Sequence, residues 1–352
     1  MQTCSVGLIG YGLAGKVFHA PLIVAAAPAG LALARISSSS ADPDEVRRSY
    51  PDVTLDAGPQ AMLDDPRIGL IVVATPNASH YALARAALEA GKHVVVDKPF
   101  VVSSAEGEAL IALAQEKGLL ISAFHNRRWD NDFLTLRSCI ESGSLGQVHS
   151  YYAHFDRYAP QVKPRWKEEE QPGAGILWDL GSHLIDQALQ LFGLPRAVTA
   201  DLSVQRAGAL VEDYFHLTLD YGHCKAVLRA GMQVCAPGPR YEVHGTQGSF
   251  SKYGIDGQET ALKEGARPGD AGWGGDDSAH YATVTLMEDG AAVARRVPTL
   301  AGSYESYYAG MGKAINDRQP VPVAAEEALN VVRVIEAARQ SHRERRTVDF
   351  PS

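Results

Sequence analysis

Two short stretches place chemically useful side chains where a fold can use them. In His93-Val94-Val95-Val96-Asp97-Lys98-Pro99 an apolar run of strand length ends in a lysine, and open parallel sheets bind their ligands just outside the carboxyl ends of the strands. Most lysines are solvated surface charges, but one at such a strand end can polarise a substrate oxygen. In Trp178-Asp179-Leu180-Gly181-Ser182-His183-Leu184-Ile185-Asp186 the polar residues Asp179, His183 and Asp186 stand at i, i+4 and i+7, which is one face of a helix. A carboxylate beside a histidine sets its tautomer and supports its charged form, which suits proton transfer to or from a hydroxyl. The same spacing would also serve a structural Asp–His pair or part of a metal site, although no further ligands cluster with it. Lys98, Asp179 and His183 are the catalytic candidates, and no metal is expected.

A third stretch, Gly10-Tyr11-Gly12-Leu13-Ala14-Gly15, matches GxGxxG after the apolar run Ser5–Ile9 and before a helix, the context in which the pattern means a dinucleotide loop. The first glycine permits a tight turn, the second lets the backbone approach a pyrophosphate, and the third allows the helix to pack on the strand. NAD-binding versions carry an acid about 20 residues further on to hold the ribose 2′-hydroxyl. Here no Asp or Glu occurs between Gly15 and Asp42, and the second strand runs out in Ser37-Ser38-Ser39-Ser40 with Arg47 and Arg48 following. Ser37, Ser38 and Ser39 can donate to a 2′-phosphate, so NADP is expected ahead of NAD. The alternative is that the serines only cap the next segment and the arginines face solvent.

These groups need elements to position them. Strand-length apolar runs at Ser5–Ile9, Leu31–Ser37, Leu70–Ala74, His93–Val96 and Leu119–Phe124 alternate with helical patterns at Pro43–Tyr50, Ser79–Ala90 and Ala105–Lys117, the βαβ signature of a parallel sheet. A doubly wound dinucleotide-binding domain over 1–124 is expected. Beyond it come a helix near Asp132–Ser142, a strand near Val148–Phe155 and a Pro-, Gly- and charge-rich loop over 160–175. A helix over Leu177–Phe192 then precedes alternating apolar and polar positions across 198–300 and a last helix near Ala324–Ser341. That pattern reads as a largely antiparallel sheet, so 125–352 is expected to be an α+β domain for substrate binding and self-association. A chain of 352 residues exceeds what one core usually fills, and two domains leave a cleft. Asn126, Arg127, Arg157, Tyr158, Arg165 and Trp166 lie in segments expected to border it, with donors and flat faces that suit a polyhydroxylated ring.

Bulk composition removes several classes of function. With 41 acidic against 33 basic residues the formal charge is −8, which opposes a phosphate-backbone surface and makes nucleic acid an unexpected partner. The four cysteines, Cys4, Cys139, Cys224 and Cys235, have no CxxC spacing and read as reduced thiols of a cytoplasmic protein. No export signal is read at the N-terminus, and the apolar stretch from His19 to Ala34 is broken by Pro21, Pro28 and Gly30, so no membrane span is expected.

Together the glycine loop, the Thr75-Pro76-Asn77 turn with His80 beyond it, Asp97-Lys98-Pro99 and Asp179…His183…Asp186 resemble the Gfo/Idh/MocA family of oxidoreductases over nearly the whole chain. Gly10 to His19, His125-Asn126-Arg127-Arg128-Trp129-Asp130 and Lys252-Tyr253-Gly254-Ile255-Asp256-Gly257-Gln258-Glu259 look like the branch that contains NADP-dependent scyllo-inositol dehydrogenases. The resemblance implies that Lys98, Asp179 and His183 form the catalytic set and that the second domain carries a large open-faced sheet. It also implies that Thr75, Asn77, His80, Lys98 and Arg127 join Gly10, Gly12, Leu13, Ala14 and Gly15 at the cofactor. A homo-oligomer, dimer or tetramer, is expected. Asp97 departs from the family, which usually has glutamate before the lysine. Two rivals stay open at this point: a non-catalytic NADP-binding sensor on the same fold, and a family member acting on a non-polyol substrate.

Overall fold

Strands buried on both faces lose the alternation of polar and apolar residues and read as continuous Val, Ile and Leu. In the computed structural model, which describes residues 3–350, the apolar runs of the N-terminal third become β1 (Cys4–Ile9), β2 (Leu31–Ser37), β3 (Thr54–Asp56), β4 (Ile68–Val73), β5 (His93–Asp97) and β6 (Ile121–Phe124). All pair in parallel in the order β3-β2-β1-β4-β5-β6. This is the doubly wound arrangement whose order reverses beside β1, at the glycine loop. The edge strand β3 escapes sequence reading because its three residues are too few and too polar for a pattern.

This sheet belongs to a unit made of the residues up to Asn126 together with Gln258–Trp273 and Ser303–Leu329. The chain thus returns to it twice, which a single division near residue 124 does not describe. The reason is an apolar helix face: on Glu305–Asp317 the side chains of Tyr307, Tyr308 and Met311 are fully buried. Gly312 of the same helix packs so closely that a Cβ there would lie 2.3 Å from the Ala29 carbonyl oxygen.

The second unit comprises Arg127–Gly257, Gly274–Gly302 and the residues from Asn330 onward. Its strands are β7 (Val148–His154), β8 (Ala197–Ser203), β9 (Tyr214–Asp220), β10 (Lys225–Gly231), β11 (Tyr241–Gly245), β12 (Gly248–Lys252), β13 (Ala282–Glu288), β14 (Ala291–Val297) and β15 (Val348–Asp349). They form one sheet in the order β14-β13-β12-β11-β7-β10-β9-β8-β15. Every neighbouring pair is antiparallel except β7 with β10. Alternate residues of β9, Phe215, Leu217 and Leu219, are fully buried, as period-two patterning requires. Among the described residues no helix is long and apolar enough to cross a membrane.

Candidate active site

Each glycine of the loop after β1 answers a different constraint. Gly10 has φ +98° and an added Cβ would lie 2.5 Å from the Ala74 carbonyl oxygen, so the turn admits only glycine. At Gly15 a Cβ would come within 2.1 Å of the Gly10 carbonyl oxygen, so glycine is what lets the first helical turn close on β1. At Gly12 a Cβ would meet nothing within 4 Å. The space before Gly12 is left open by the protein, as a pyrophosphate cradle must be. A wide π turn, Gly15–His19, starts the helix that continues through Ala20–Ala25. The residues present therefore fit a dinucleotide.

At the end of β2 the Ser37 side chain is buried and its carbonyl accepts the Gly10 N–H at 2.9 Å. The Ser38 hydroxyl accepts from the amides of Ser40 and Ala41 at 3.3 and 3.2 Å, while Ser39 is exposed. Acids on the flanking elements are taken: Asp56 on β3 is held by Arg35 through bonds of 2.8 and 2.7 Å, and Glu45 pairs with Lys16. Arg47 pairs with Asp44 at 2.9 Å in an exposed contact, which leaves the exposed Arg48 as the candidate counter-charge of the two.

Lys98 leaves the end of β5 partly exposed, with its amide donating to Asp97 Oδ1 at 2.8 Å. His80, expected at the cofactor, is fully buried. Its Nδ1 lies 2.8 Å from the Pro99 carbonyl oxygen and its Nε2 2.9 Å from that of Thr75. His80 thus packs between the loops after β4 and β5, its one N–H donating to one of the two carbonyl oxygens. In the first of those loops the Thr75 hydroxyl pairs with that of Ser79 at 2.7 Å, and Asn77 is buried.

In the second unit a π turn, Leu177–Gly181, leads into the helix Ser182–Phe192; single π turns within helices are frequent at functional sites. The turn carries Asp179, and His183 follows it with 5% of its surface exposed. Lys167 Nζ donates to Asp179 Oδ1 at 2.6 Å. A small pocket open to solvent lies beside Lys167 and Asp179, lined by Arg157, Arg165, Lys167, Asp179, Arg206 and Glu212 together with apolar Ile176, Leu180, Val211 and Met232, and His183 is not part of its lining. Burial pushes the Glu212 carboxyl above its ordinary pKa, against the pull of Arg339. Arg206 is locked by Asp213 at 2.8 Å and Glu168 at 2.6 Å, and Arg165 reaches the same Glu168 at 2.9 Å.

The third polar residue of the helix face does something else. Asp186 receives Arg128 Nε at 2.9 Å and Nη2 at 2.6 Å, both side chains buried. Gln187 donates to the Arg127 carbonyl at 2.9 Å and accepts from Arg240 at 2.9 Å and from the Tyr241 hydroxyl at 2.8 Å. Asp186 is therefore an anchor for the helix, and the expected grouping with Asp179 and His183 is corrected to that extent.

Of the residues expected to border a substrate, Arg157, Arg165 and Asp179 share the cavity. Tyr158 is 64% exposed, and Trp166 is partly buried with Lys167 Nζ 5.6 Å from its ring centroid. Asn126 and Arg127 are buried. Arg127, expected at the cofactor, packs 4.9 Å over the Phe155 ring and lies 3.3 Å from Asp130. Sequence reading missed Lys167 and Arg206: both sit among other charges, and no spacing rule links Arg206 to its partner Glu168, 38 residues away.

Comparison with known proteins agrees with this geometry. Residues 4–125 match the Gfo/Idh/MocA model described as an oxidoreductase family, NAD-binding Rossmann fold, and residues 137–350 match its C-terminal alpha/beta domain. The chain is 45% identical over 348 residues to the scyllo-inositol 2-dehydrogenase (NADP(+)) IolW of Bacillus subtilis, covering 99% of this chain and 96% of the relative. It is 47% identical over 343 residues to the uncharacterized oxidoreductase YdgJ of Escherichia coli, covering 97% of each. The solved structure of the oxidoreductase YvaA of Bacillus subtilis aligns with a TM-score of 0.95 at 44% identity over 99% of both chains. That of the oxidoreductase YPO2259 of Yersinia pestis aligns with 0.94 at 46% identity, covering 100% of this chain and 98% of that one.

Proposed function

The chain belongs to the Gfo/Idh/MocA oxidoreductase family, and we propose that it moves a hydride between NADP(H) and a secondary alcohol or ketone of a cyclic polyol or sugar, with scyllo-inositol first among the candidates. The observation that carries the substrate class is the cavity beside Asp179, where arginine, lysine and carboxylate groups crowd the lining. Apolar substrates are met by pockets with few polar groups, whereas charged side chains dominate the polar part of this lining, Arg165, Lys167 and Arg206 among them already paired with Glu168, Asp179 and Asp213. The 45% identity to the inositol dehydrogenase IolW supports the choice within that class.

When bound, the nicotinamide supplies the hydride acceptor or donor. In the proposed roles His183 takes the hydroxyl proton, Asp179 supports the charged imidazole, and Lys98 donates a hydrogen bond to the oxygen on which charge develops. Gly10, Gly12, Leu13, Ala14 and Gly15 hold the pyrophosphate, with Thr75 and Asn77 on the next loop. Ser38 and Ser39 would hold the 2′-phosphate, while Ser37, whose side chain is buried, closes the end of β2 beneath them. The NADP preference rests on the absence of any acid between Gly15 and Asp42 and on the engagement of Asp56 by Arg35. The same proposal gives cofactor binding to the first unit, substrate binding and self-association to the second, and a cytoplasmic homo-oligomer, dimer or tetramer, to the cell.

Fluorescence titration with NADPH and NADH should show tighter binding of NADPH, and a carboxylate introduced by Ser38→Asp should reverse or erase that preference. Steady-state assays with inositols, aldoses and simple alcohols should give the highest kcat/KM on a cyclic polyol or sugar. Simple alcohols should be poor because each unmatched polar partner costs about 1–3 kcal/mol. Tighter binding of NADH by the wild type refutes the cofactor assignment. A simple aliphatic alcohol equalling every polyol refutes the substrate class, and inertness toward all of them favours the non-catalytic sensor.

A further inference from the structure

Resting on the reading that Lys98 polarises the substrate oxygen, we propose that Lys98 is aimed and kept charged by a buried chain, Tyr308–His19–Asp97, which makes His19 and Tyr308 positioning residues of the reaction. Neither residue is needed by the dinucleotide loop or by the helix that carries His183. Both lie in the first unit, one at each end of the sequence.

His19 closes the π turn that follows the glycine loop and is fully buried. Its ring centroid is 4.4 Å from that of Phe124 on β6. Nδ1 is 2.6 Å from the Tyr308 hydroxyl, and Nε2 is 3.6 Å from Asp97 Oδ1. Tyr308 comes from the helix Glu305–Asp317, one of the two returns of the chain to this unit. Burial, then the neighbouring Tyr307 and Asp97, push the Tyr308 phenol well above its ordinary pKa, so its O–H is present to donate to Nδ1. That bond fixes the tautomer with its proton on Nε2, directed at Asp97.

Tyr308 has a rigid setting. Tyr307 packs edge-on at 5.2 Å between ring centroids. The Tyr307 hydroxyl is 2.8 Å from Ser122 Oγ, which donates to the Val323 carbonyl at 2.7 Å.

At the other end of the chain, Asp97 is titrated by its surroundings. Burial raises its pKa, but the His19 ring 3.6 Å away and the positive charge of Lys98 outweigh burial and hold the carboxyl below its ordinary value. The groups facing it are thus His19 from the loop helix, His80 from the helix after β4, Lys98 beside it and Tyr308 behind His19. Burial pushes the His80 imidazole down, against Asp97 and the two carbonyls it contacts. The carboxylate so held accepts the amide of Lys98, which ties the backbone carrying the ammonium group to the histidine. A buried polar chain is costly unless every member is paired, and apolar side chains would fill the same space against Phe124 at lower cost. What the polar chain supplies and apolar packing would not is a fixed negative charge beside Lys98.

The test compares His19→Gln, Tyr308→Phe, Asp97→Asn and Asp97→Glu in the full chain. Two readouts are followed: kcat with the best polyol, and the pH dependence of Lys98 acylation by an amine-reactive reagent in the protein without substrate, read by mass spectrometry. His19→Gln and Asp97→Asn should lower kcat by about 10- to 100-fold, the range expected when a reacting group is misplaced, with NADPH affinity changed less than about threefold. The Lys98 acylation curve should move to lower pH most in Asp97→Asn, because an ammonium that loses its neighbouring anion releases its proton more easily, and less in His19→Gln, where the carboxylate stays ionised but loses the group that holds it in place. Tyr308→Phe, which removes one oxygen, should move both readouts the same way by less, and it carries the test if His19→Gln does not fold. Asp97→Glu, which keeps the carboxylate, should retain most of the wild-type activity and the wild-type curve.

Variants that melt earlier with kcat and acylation curve unchanged would overturn the proposal and leave a packing role. A shifted acylation curve in a protein inert to every polyol supports the chain and refutes the reaction. No shift with inertness refutes both.

Discussion

The loop after β1 is shaped by side chains that are missing, whereas the helix Ser182–Phe192 is held by side chains that are paired. In the first unit the candidate site is a matter of backbone: added Cβ atoms at Gly10 and Gly15 would strike carbonyl oxygens, and at Gly12 one would fill open space. In the second unit Arg128, Gln187, Arg240 and Tyr241 build a buried polar net under the helix that presents His183. A backbone site needs only its own few residues and is therefore compact in sequence. A side-chain site is assembled across the fold, with Arg128 and Asp186 separated by 58 residues and Arg240 and Gln187 by 53.

The largest effect expected from breaking either side lies at the reacting groups themselves. Lys98→Ala in the first unit and His183→Ala in the second should each lower turnover by about 10²–10⁴-fold, because each acts on charge that develops only as the reaction proceeds. Cofactor affinity should change far less than turnover. Single-turnover rates and NADPH titration check this together. Near-normal turnover in either variant removes that residue from the proposed mechanism and shows that only one unit supplies chemistry.

The paired side of the comparison is tested by taking one partner away. Arg128→Ala leaves Asp186 as a buried, uncompensated carboxylate, a loss of about 3–5 kcal/mol by analogy with other buried pairs. Replacing both, with Arg128→Met and Asp186→Leu, should restore most of the stability, because the cost lies in the orphaned charge more than in the lost attraction. Denaturant unfolding of Arg128→Ala and of the double variant measures it. A double variant as unstable as Arg128→Ala would mean that the ion pair itself, not the avoidance of a bare charge, holds the helix.

Legibility in the sequence followed the same division. The five longer strands of the parallel sheet, the glycine loop and the helix carrying His183 were readable, because period, run length and glycine spacing are local quantities. The return of Glu305–Asp317 to the first unit was not, because a helix face records that it is buried without recording against what. His80 and Arg127 were placed at the cofactor by resemblance, which carries no information about how deeply either side chain is buried. His19 stood in plain view as part of the Gly10–His19 stretch, but its partners Tyr308 and Asp97 are 289 and 78 residues away. Lys98, Asp179 and His183 were named from the sequence, and kinetics on the variants above is what tests their roles.

The smallest effect sharpens the comparison most, because it separates two glycines three residues apart. At Gly15 an added Cβ would sit 2.1 Å from the Gly10 carbonyl oxygen, a backbone atom that cannot swing aside, so Gly15→Ala must push the helix away from β1. Overpacking of this kind costs about 1–3 kcal/mol, and both stability and cofactor affinity should fall together. At Gly12 the Cβ would meet nothing within 4 Å, so Gly12→Ala should change stability by no more than about 0.5 kcal/mol, as for a surface substitution free of contacts. If the open space is the pyrophosphate cradle, that methyl group intrudes on the ligand alone. Gly12→Ala should then bind NADPH and NADH more weakly by a similar factor, with its melting temperature intact. A Gly12→Ala protein that binds both dinucleotides as tightly as the wild type would show that the space serves something other than a phosphate, and the account of the first unit as a site made by absent side chains would fail at its centre.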